Sequence, residues 1–143
     1  MKRTPITIAA VALFALAVSA GQPTLFERYE TTRQALLSGA LADVQRTAKD
    51  LAGTARATKQ NAIAERAAAL AAATNLKDAR SSFATLSDAL IQYRAGLSGQ
   101  RPVVVYCSME KKSWLQPKGA VTNPYVSPSM RSCGEVREDK VLR

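Results

Sequence analysis

Proline is unevenly distributed along this 143-residue chain, and its distribution restricts the fold more than any other feature of the sequence. The stretch from Thr24 to Leu97 is rich in alanine and contains no proline, whereas four prolines follow soon after it, at Pro102, Pro117, Pro124 and Pro128. Proline in a helix interior removes a backbone hydrogen bond and clashes with the preceding turn, so long helices are confined to the first stretch. The sequence therefore predicts a helical part followed by a part without long helices.

The first half of the helical stretch contains two amphipathic segments with apolar residues at helical spacing. The first begins at Thr24, where Glu27 completes a capping box, and it ends at Gly39. The second carries its apolar face from Leu41 to Ala55, and its end is predicted between residues 53 and 58. Both segments are therefore predicted to be helices that bury one face.

Two further helices are predicted in the second half of the stretch. The third lies near residues 60–74 and is built largely of alanine, which has the highest helix propensity and permits close packing. The fourth begins after Asn75 and ends before Gly96. Four such segments with short links predict a mainly α fold, an up-and-down four-helix bundle. Residues 103–136 are predicted to add a short strand, beginning with three valines, and an ordered proline-rich loop packed against the bundle.

The amino terminus resembles a secretory signal peptide. Lys2 and Arg3 precede an apolar run from Ile6 to Val18, and small residues end at Ala20. The run is shorter than the roughly 18–20 residues that span a bilayer. We therefore expect cleavage near Ala20 and an exported, periplasmic protein without a transmembrane segment. Residues 21–137 would form a single domain, and residues 138–143 a polar tail.

The charge and composition of the chain disfavour several functions. The net charge is +9, but the basic residues are scattered and are not interleaved with aromatic residues, so nucleic acid is not an expected partner. The chain contains no histidine, which excludes histidine-based nucleophile pairs and histidine metal ligands. Because no nucleophile with a base and no paired-carboxylate site is recognisable, the chain is not predicted to be an enzyme.

Apart from Met1, every sulfur-containing residue falls in two short segments, at Cys107 with Met109 and at Met130 with Cys133. On a strand, residues two apart share a face, and on a helical turn residues three apart do so. Each segment is therefore predicted to present its two sulfur atoms on one side. Two thiolates and two thioethers form a soft ligand set that favours Cu(I) or Ag(I).

A disulfide between Cys107 and Cys133 is the alternative prediction, because paired cysteines in exported proteins usually form one. In that case no metal is bound, and Met109 and Met130 fill gaps in the core. The protein would then be a helical interaction module whose basic surface docks an acidic partner. Spacing alone favours the disulfide, and neither possibility is excluded by it.

The segments "YCSM", "WL", "NPYVSPSM" and "SCGE", preceded by "ARSSFATLS", resemble the family catalogued as domain of unknown function 3347. The resemblance extends over essentially all of the chain after the signal peptide. Its sulfur positions correspond to Cys107, Met109, Met130 and Cys133. Its framing positions correspond to Trp114, Asn123, Pro124, Tyr125 and Gly134, and its helical signature to Arg80, Phe83, Leu86 and Ser87. This chain departs from the pattern at Ser108, which replaces a proline, at Val126 and Ser127, which replace an aromatic-glycine pair, and at Pro128, which is extra.

The resemblance implies a periplasmic helical module that binds copper or silver and is related to the adaptor proteins of heavy-metal efflux systems. A metal efflux system or a cuproprotein-assembly partner is the partner it implies. Among the framing residues, Asn123 is expected to fix a turn through its side chain. Arg80 is expected either to tether the sulfur-bearing loop through carbonyl groups or to pair with Asp78 or Asp88.

Overall fold

The structure, a computed structural model, describes residues 24–137. The predicted signal peptide (1–20) and polar tail (138–143) lie outside the described residues. The described part contains four α-helices, one short 3-10 helix and three β-strands. The helices are α1 (Leu25–Ser38), α2 (Leu41–Ala57), α3 (Asn61–Ala71) and α4 (Leu76–Ala95). The predicted mainly α fold is confirmed.

The ends of α1 follow from its capping residues. The Thr24 hydroxyl accepts the N–H of Glu27, and the Glu27 carboxylate accepts the N–H of Thr24 at 2.6 Å. Both halves of the predicted capping box are therefore present. At the other end Gly39 adopts a left-handed conformation with φ of 76°, and its N–H reaches the carbonyls of Ala35 and Leu36. A side chain at this φ would be strained, which is why glycine ends the helix here.

The third helix is shorter than the sequence predicts, ending at Ala71 instead of near residue 74. Asn75 is extended and accepts the N–H of Asp78, which caps the start of α4. Residues 72–74 must therefore connect a helix end to an extended capping residue, and their high alanine content does not keep them helical. The starts and ends of the other three helices agree with the prediction.

Consecutive helices pack side by side, which places α1, α2, α3 and α4 in up-and-down order. The interior of the bundle is aliphatic and includes several alanines that are almost completely buried, among them Ala48, Ala55, Ala67 and Ala79. The backbones of helices α1 and α4 come close to each other at only a few points. Aromatic side chains fill the space between these two helices, where the rings of Tyr29 and Phe83 stack with centroids 4.9 Å apart.

A three-stranded antiparallel sheet follows the bundle. Its strands are β1 (Val103–Cys107), β2 (Lys112–Gln116) and β3 (Glu135–Arg137), in the order β2-β1-β3. The sequence predicted one strand, so the prediction was incomplete. Strand β3 was missed because its three residues are all exposed and contain one apolar residue, which gives no alternating pattern. The sheet packs on the bundle mainly through β2 and α4. None of the described helices is long and apolar enough to cross a membrane.

Candidate functional site: a pair of cysteines at one end of the sheet

The sheet brings the two cysteines together, although they lie far apart in sequence. Strand β1 ends at Cys107, and Tyr106 pairs with Glu135 at the start of β3. Because the two strands are antiparallel, the end of one lies beside the start of the other. Cys133 precedes β3 by two residues, so it reaches the end of β1 where Cys107 lies.

The two sulfur atoms are in contact, with Cys107 Sγ and Cys133 Sγ 2.8 Å apart. Both cysteines are free thiols. Cys107 is completely buried, whereas Cys133 is partly exposed. One thiol is thus held in the protein interior and the other lies between it and the solvent.

The surroundings of the two thiols differ in their effect on ionisation. Burial raises the pKa of the Cys107 thiol, but hydrogen bonds from Cys133, from the N–H groups of Glu110 and Met109, and from the Asn123 side chain together lower it. The hydrogen bond to Cys107 raises the pKa of Cys133, and burial adds to this effect. Cys107 is therefore the sulfur whose thiolate form is favoured.

The methionines are placed differently from the prediction. Strand β1 ends at Cys107, and Met109 lies in the turn that leads to β2, where Lys111 has a left-handed φ of 51°. The predicted strand face shared by Cys107 and Met109 is therefore wrong, because the strand ends at Cys107 and Met109 lies in the turn. Met109 and Met130 are 66% and 39% exposed, so neither is a core residue as the disulfide alternative expected.

Met130 and Cys133 are connected by one turn, as the spacing predicted. Met130 ends the 3-10 helix Pro128–Met130, and its carbonyl accepts the N–H of Cys133 at 2.9 Å. Gly134 follows with φ of 151°, which a residue with a side chain rarely adopts. Within residues 24–137 no cluster of three or more histidine, cysteine, aspartate or glutamate side chains is arranged to hold a metal ion. Any metal would therefore depend on the two thiols and on softer or backbone ligands.

Asn123 fixes the loop that precedes Cys133. Its Oδ1 accepts the N–H of Tyr125 at 2.8 Å, which is the side-chain turn predicted from the sequence. Pro124 lies between them and is buried, and its carbonyl accepts a hydrogen bond from Arg80 Nε at 3.3 Å. Arg80 thus tethers the loop to α4, which is one of the two roles expected for it.

Two further arginines bind this loop to α1. Arg33 is 2% exposed and donates from Nη1 to the carbonyl and hydroxyl oxygens of Thr122 at 2.6 and 2.7 Å. The Glu30 carboxylate accepts from the same guanidinium at 2.8 Å. Arg131 donates to the Leu37 carbonyl. Sequence reasoning missed the role of Arg33, although a charged residue four positions after Tyr29 on the apolar face of α1 was a usable signal.

Trp114 and Tyr125 lie beneath the cysteine segment. Both are buried, and their rings meet edge to face with centroids 5.8 Å apart. Gly134 lies so close to Trp114 that a Cβ atom on it would be 2.6 Å from the Trp114 ring. Trp114 thus packs directly against the residue that follows Cys133.

The cysteine pair is not part of a large cavity. A groove of about 590 Å³ lies elsewhere, between the first turns of α1, the link into β1 and the end of β2. Neither cysteine lines this groove. The geometry at Cys107 and Cys133 is thus suited to an ion or to a second sulfur atom more than to an organic molecule.

Comparison of the chain with protein-family models, with curated proteins and with solved structures gives no match.

Proposed function

We propose that this protein binds a soft monovalent metal ion, Cu(I) or Ag(I), through the sulfur atoms of Cys107 and Cys133. The observation that carries the proposal is the direct contact of the two thiols, at 2.8 Å, across the end of the sheet. Thiolates are preferred ligands of Cu(I), and the absence of histidine removes the ligand that most zinc and Cu(II) sites use. The lowered pKa of the Cys107 thiol favours its thiolate form, which is the form that binds metal.

Met109 and Met130 are proposed as outer thioether ligands. Met109 lies two residues after Cys107 and Met130 three residues before Cys133, and each is exposed, so both are accessible to an arriving ion. Neutral thioethers add affinity for Cu(I) without adding charge. In the proposed sequence of binding, the ion meets the exposed methionines before it reaches the buried Cys107.

The location and the partner of this activity are proposed from the sequence motifs that resemble domain of unknown function 3347, although no family model matches the chain. We propose that the protein is exported to the periplasm, is not an enzyme, and passes the ion to a metal efflux system or a cuproprotein-assembly partner. Export is supported by the signal-like amino terminus.

The test is an anaerobic Cu(I) titration of the chain from residue 21 to 143, in competition with a colorimetric chelator. We expect one ion per chain, loss of binding in Cys107→Ser and in Cys133→Ser, and weaker binding when Met109→Leu and Met130→Leu are combined. Ser108→Ala is the matched control, because it changes a hydroxyl beside Cys107 and leaves all four sulfur atoms. Unchanged affinity in both cysteine variants contradicts the metal site.

The same sulfur contact favours a second function, a disulfide-stapled interaction module. The two Sγ atoms need little movement to bond, and closing this loop would stabilise the fold by about 3–4 kcal/mol in the chain-entropy description. This alternative predicts that the isolated protein has no free thiols and that reduction lowers its melting temperature. A free-thiol count on the untreated protein separates the two functions, because metal binding needs both thiols reduced.

A further inference from the structure

Asn123 is bonded to the segment that carries Cys133. It is completely buried, and its Nδ2 donates to the Cys133 carbonyl at 2.8 Å. Cys133 Sγ in turn lies 2.8 Å from Cys107 Sγ, so the bond to the Cys133 backbone bears on the separation of the two sulfur atoms.

The main chain of Asn123 reinforces this connection. Its N–H donates to the Arg131 carbonyl at 2.7 Å, two residues before Cys133. Together with the bond to the Cys133 carbonyl, this fixes the 131–133 segment at two points. The Asn123 side chain is itself fixed, because its Oδ1 accepts the N–H of Tyr125.

The loop around Asn123 is held from outside by the bundle. Arg33 binds Thr122, and Arg80 binds the Pro124 carbonyl, so the residues on both sides of Asn123 are anchored to helices. The Asn123 amide is therefore held in a frame of contacts that come from the helices and are separate from its contact with Cys133. Such a frame holds a pair of groups at a defined distance more precisely than a free loop does.

We propose that Asn123 is a positioning residue that sets the separation of Cys107 and Cys133, and so determines how readily the two thiols act as one unit. The inference rests on the proposed use of the two thiols as a single site, but its test requires no metal. Asn123 does not itself bind the ion. Its side-chain and main-chain donors hold Cys133 through the backbone of the 131–133 segment.

The test is the equilibrium between the protein and glutathione disulfide. In this reaction the two protein thiols lose two protons and two electrons and form one S–S bond, and the glutathione disulfide becomes two glutathione thiols. The equilibrium constant measures how strongly the fold favours the juxtaposition of the two sulfur atoms. A residue that contributes only to overall stability changes the melting temperature and leaves this constant of the folded protein unchanged.

We expect Asn123→Ala to lower the equilibrium constant by about tenfold, since the buried hydrogen bond to the Cys133 carbonyl is lost and the segment that holds Cys133 loosens. Asn123→Ser is the second variant, and the same equilibrium constant is measured with it if the alanine variant does not fold. A serine hydroxyl can still accept the Tyr125 N–H and keep the turn, but it is too short to replace the amide donor. It is expected to lower the constant to a similar extent.

The matched control is Tyr125→Phe, which removes the hydroxyl bonded to the Ser113 carbonyl at 2.7 Å and keeps the buried ring. It should lower the melting temperature and leave the glutathione constant nearly unchanged. If Asn123→Ser behaves as Tyr125→Phe does, Asn123 is a structural residue only and the inference is wrong. A wild-type protein with no preference for the disulfide would also overturn it. Failure of Cu(I) binding alone would contradict the proposed function and leave the glutathione result to decide the role of Asn123.

Discussion

The helical bundle and the sheet with its cysteine-bearing loop are stabilised by different interactions. The bundle buries leucine and alanine side chains, such as Leu51, Leu70 and Ala67, and its backbone hydrogen bonds are satisfied within each helix. The C-terminal part is held by aromatic packing and by side chains that bond distant backbone groups, as Asn123 and Gln116 do. We therefore expect the bundle to tolerate substitutions that keep its apolar volume. The C-terminal part is expected to depend on individual residues and their hydrogen bonds.

The two regions are joined by a buried polar network. The Tyr29 hydroxyl bonds the Ser87 hydroxyl at 2.7 Å and accepts the N–H of Leu115. The Tyr125 hydroxyl also donates to Ser87, at 3.3 Å. One hydroxyl on α4 thus connects the first helix, the sheet and the loop. Because each buried polar group in this network has its hydrogen-bond partner in another part of the chain, the position of the loop depends on the bundle.

The largest difference between the regions is expected from adding one methyl group to a glycine in each. In Gly134→Ala the new Cβ would lie 2.6 Å from the Trp114 ring and 2.9 Å from Val105, at a strained φ of 151°. We expect a loss of about 4 kcal/mol in the free energy of unfolding, from overpacking and backbone strain together. Urea unfolding followed by tryptophan fluorescence measures it, because Trp114 is the only tryptophan.

Gly53→Ala is the matched control in the bundle. Gly53 is exposed within α2, and nothing lies within 4 Å of a Cβ built on it. This substitution should stabilise the protein by about 0.5–1 kcal/mol, since glycine is less favourable than alanine in a helix. Similar effects of the two substitutions would show that the C-terminal part is no more demanding than the bundle.

A smaller effect is expected from the arginine that joins the regions. Arg33→Met keeps most of the aliphatic length but removes the hydrogen bonds to Thr122 and the partner of Glu30. We expect a loss of about 2–3 kcal/mol, because charge-assisted hydrogen bonds of a buried group are lost. Thermal unfolding measures the loss, and the alkylation rate of Cys133 should rise as the loop loosens.

Arg46→Met controls for the loss of a charge on the bundle. Arg46 pairs with Asp43 at 3.0 Å, but the two side chains are 65% and 54% exposed. An exposed pair of this kind contributes about 0.5 kcal/mol or less. If both arginine variants lose the same small amount of unfolding free energy, Arg33 does not anchor the loop. The C-terminal part would then not depend on this contact with the bundle.

The sequence predicted the bundle well because its information is local. Thr24, Gly39 and Asn75 each act on the backbone within a few residues, so the start and end of a helix can be found without knowing the fold. The end of α3 was predicted too late, because alanine propensity gives no signal where a chain must leave a helix to cap the next one.

The cysteine site was less predictable because its geometry depends on strand pairing. The convergence of Cys107 and Cys133 requires β3, which carries no alternating pattern of its own. The turn after Cys107 contains no glycine, proline or asparagine, so no strong turn signal marks the end of the strand before Met109. The contact of Arg33 with Thr122 links residues 89 positions apart, and no local rule identifies such a partner.

The smallest effect on stability is expected at alkaline pH. It is the effect most specific to the hydrogen-bond network that joins the bundle and the sheet. Burial raises the pKa of Tyr29, in spite of the hydrogen bonds it makes with Ser87 and Leu115, and burial and proximity to Tyr29 raise that of Tyr125. In the unfolded chain both tyrosines ionise near pH 10. Above that pH the unfolded chain therefore binds fewer protons than the folded one, and the free energy of unfolding falls as pH rises.

Tyr29→Phe should lose about 1 kcal/mol near neutral pH, because the Leu115 N–H loses its acceptor, and should show a shallower decline above pH 10. The measurement is urea unfolding across that pH range. Tyr106→Phe, at a partly exposed position on β1, controls for the loss of a tyrosine hydroxyl outside the network at Ser87. An equally steep decline in Tyr29→Phe and wild type would mean that alkaline unfolding begins elsewhere. The network at Ser87 would then not be the point at which the bundle and the sheet depend on each other.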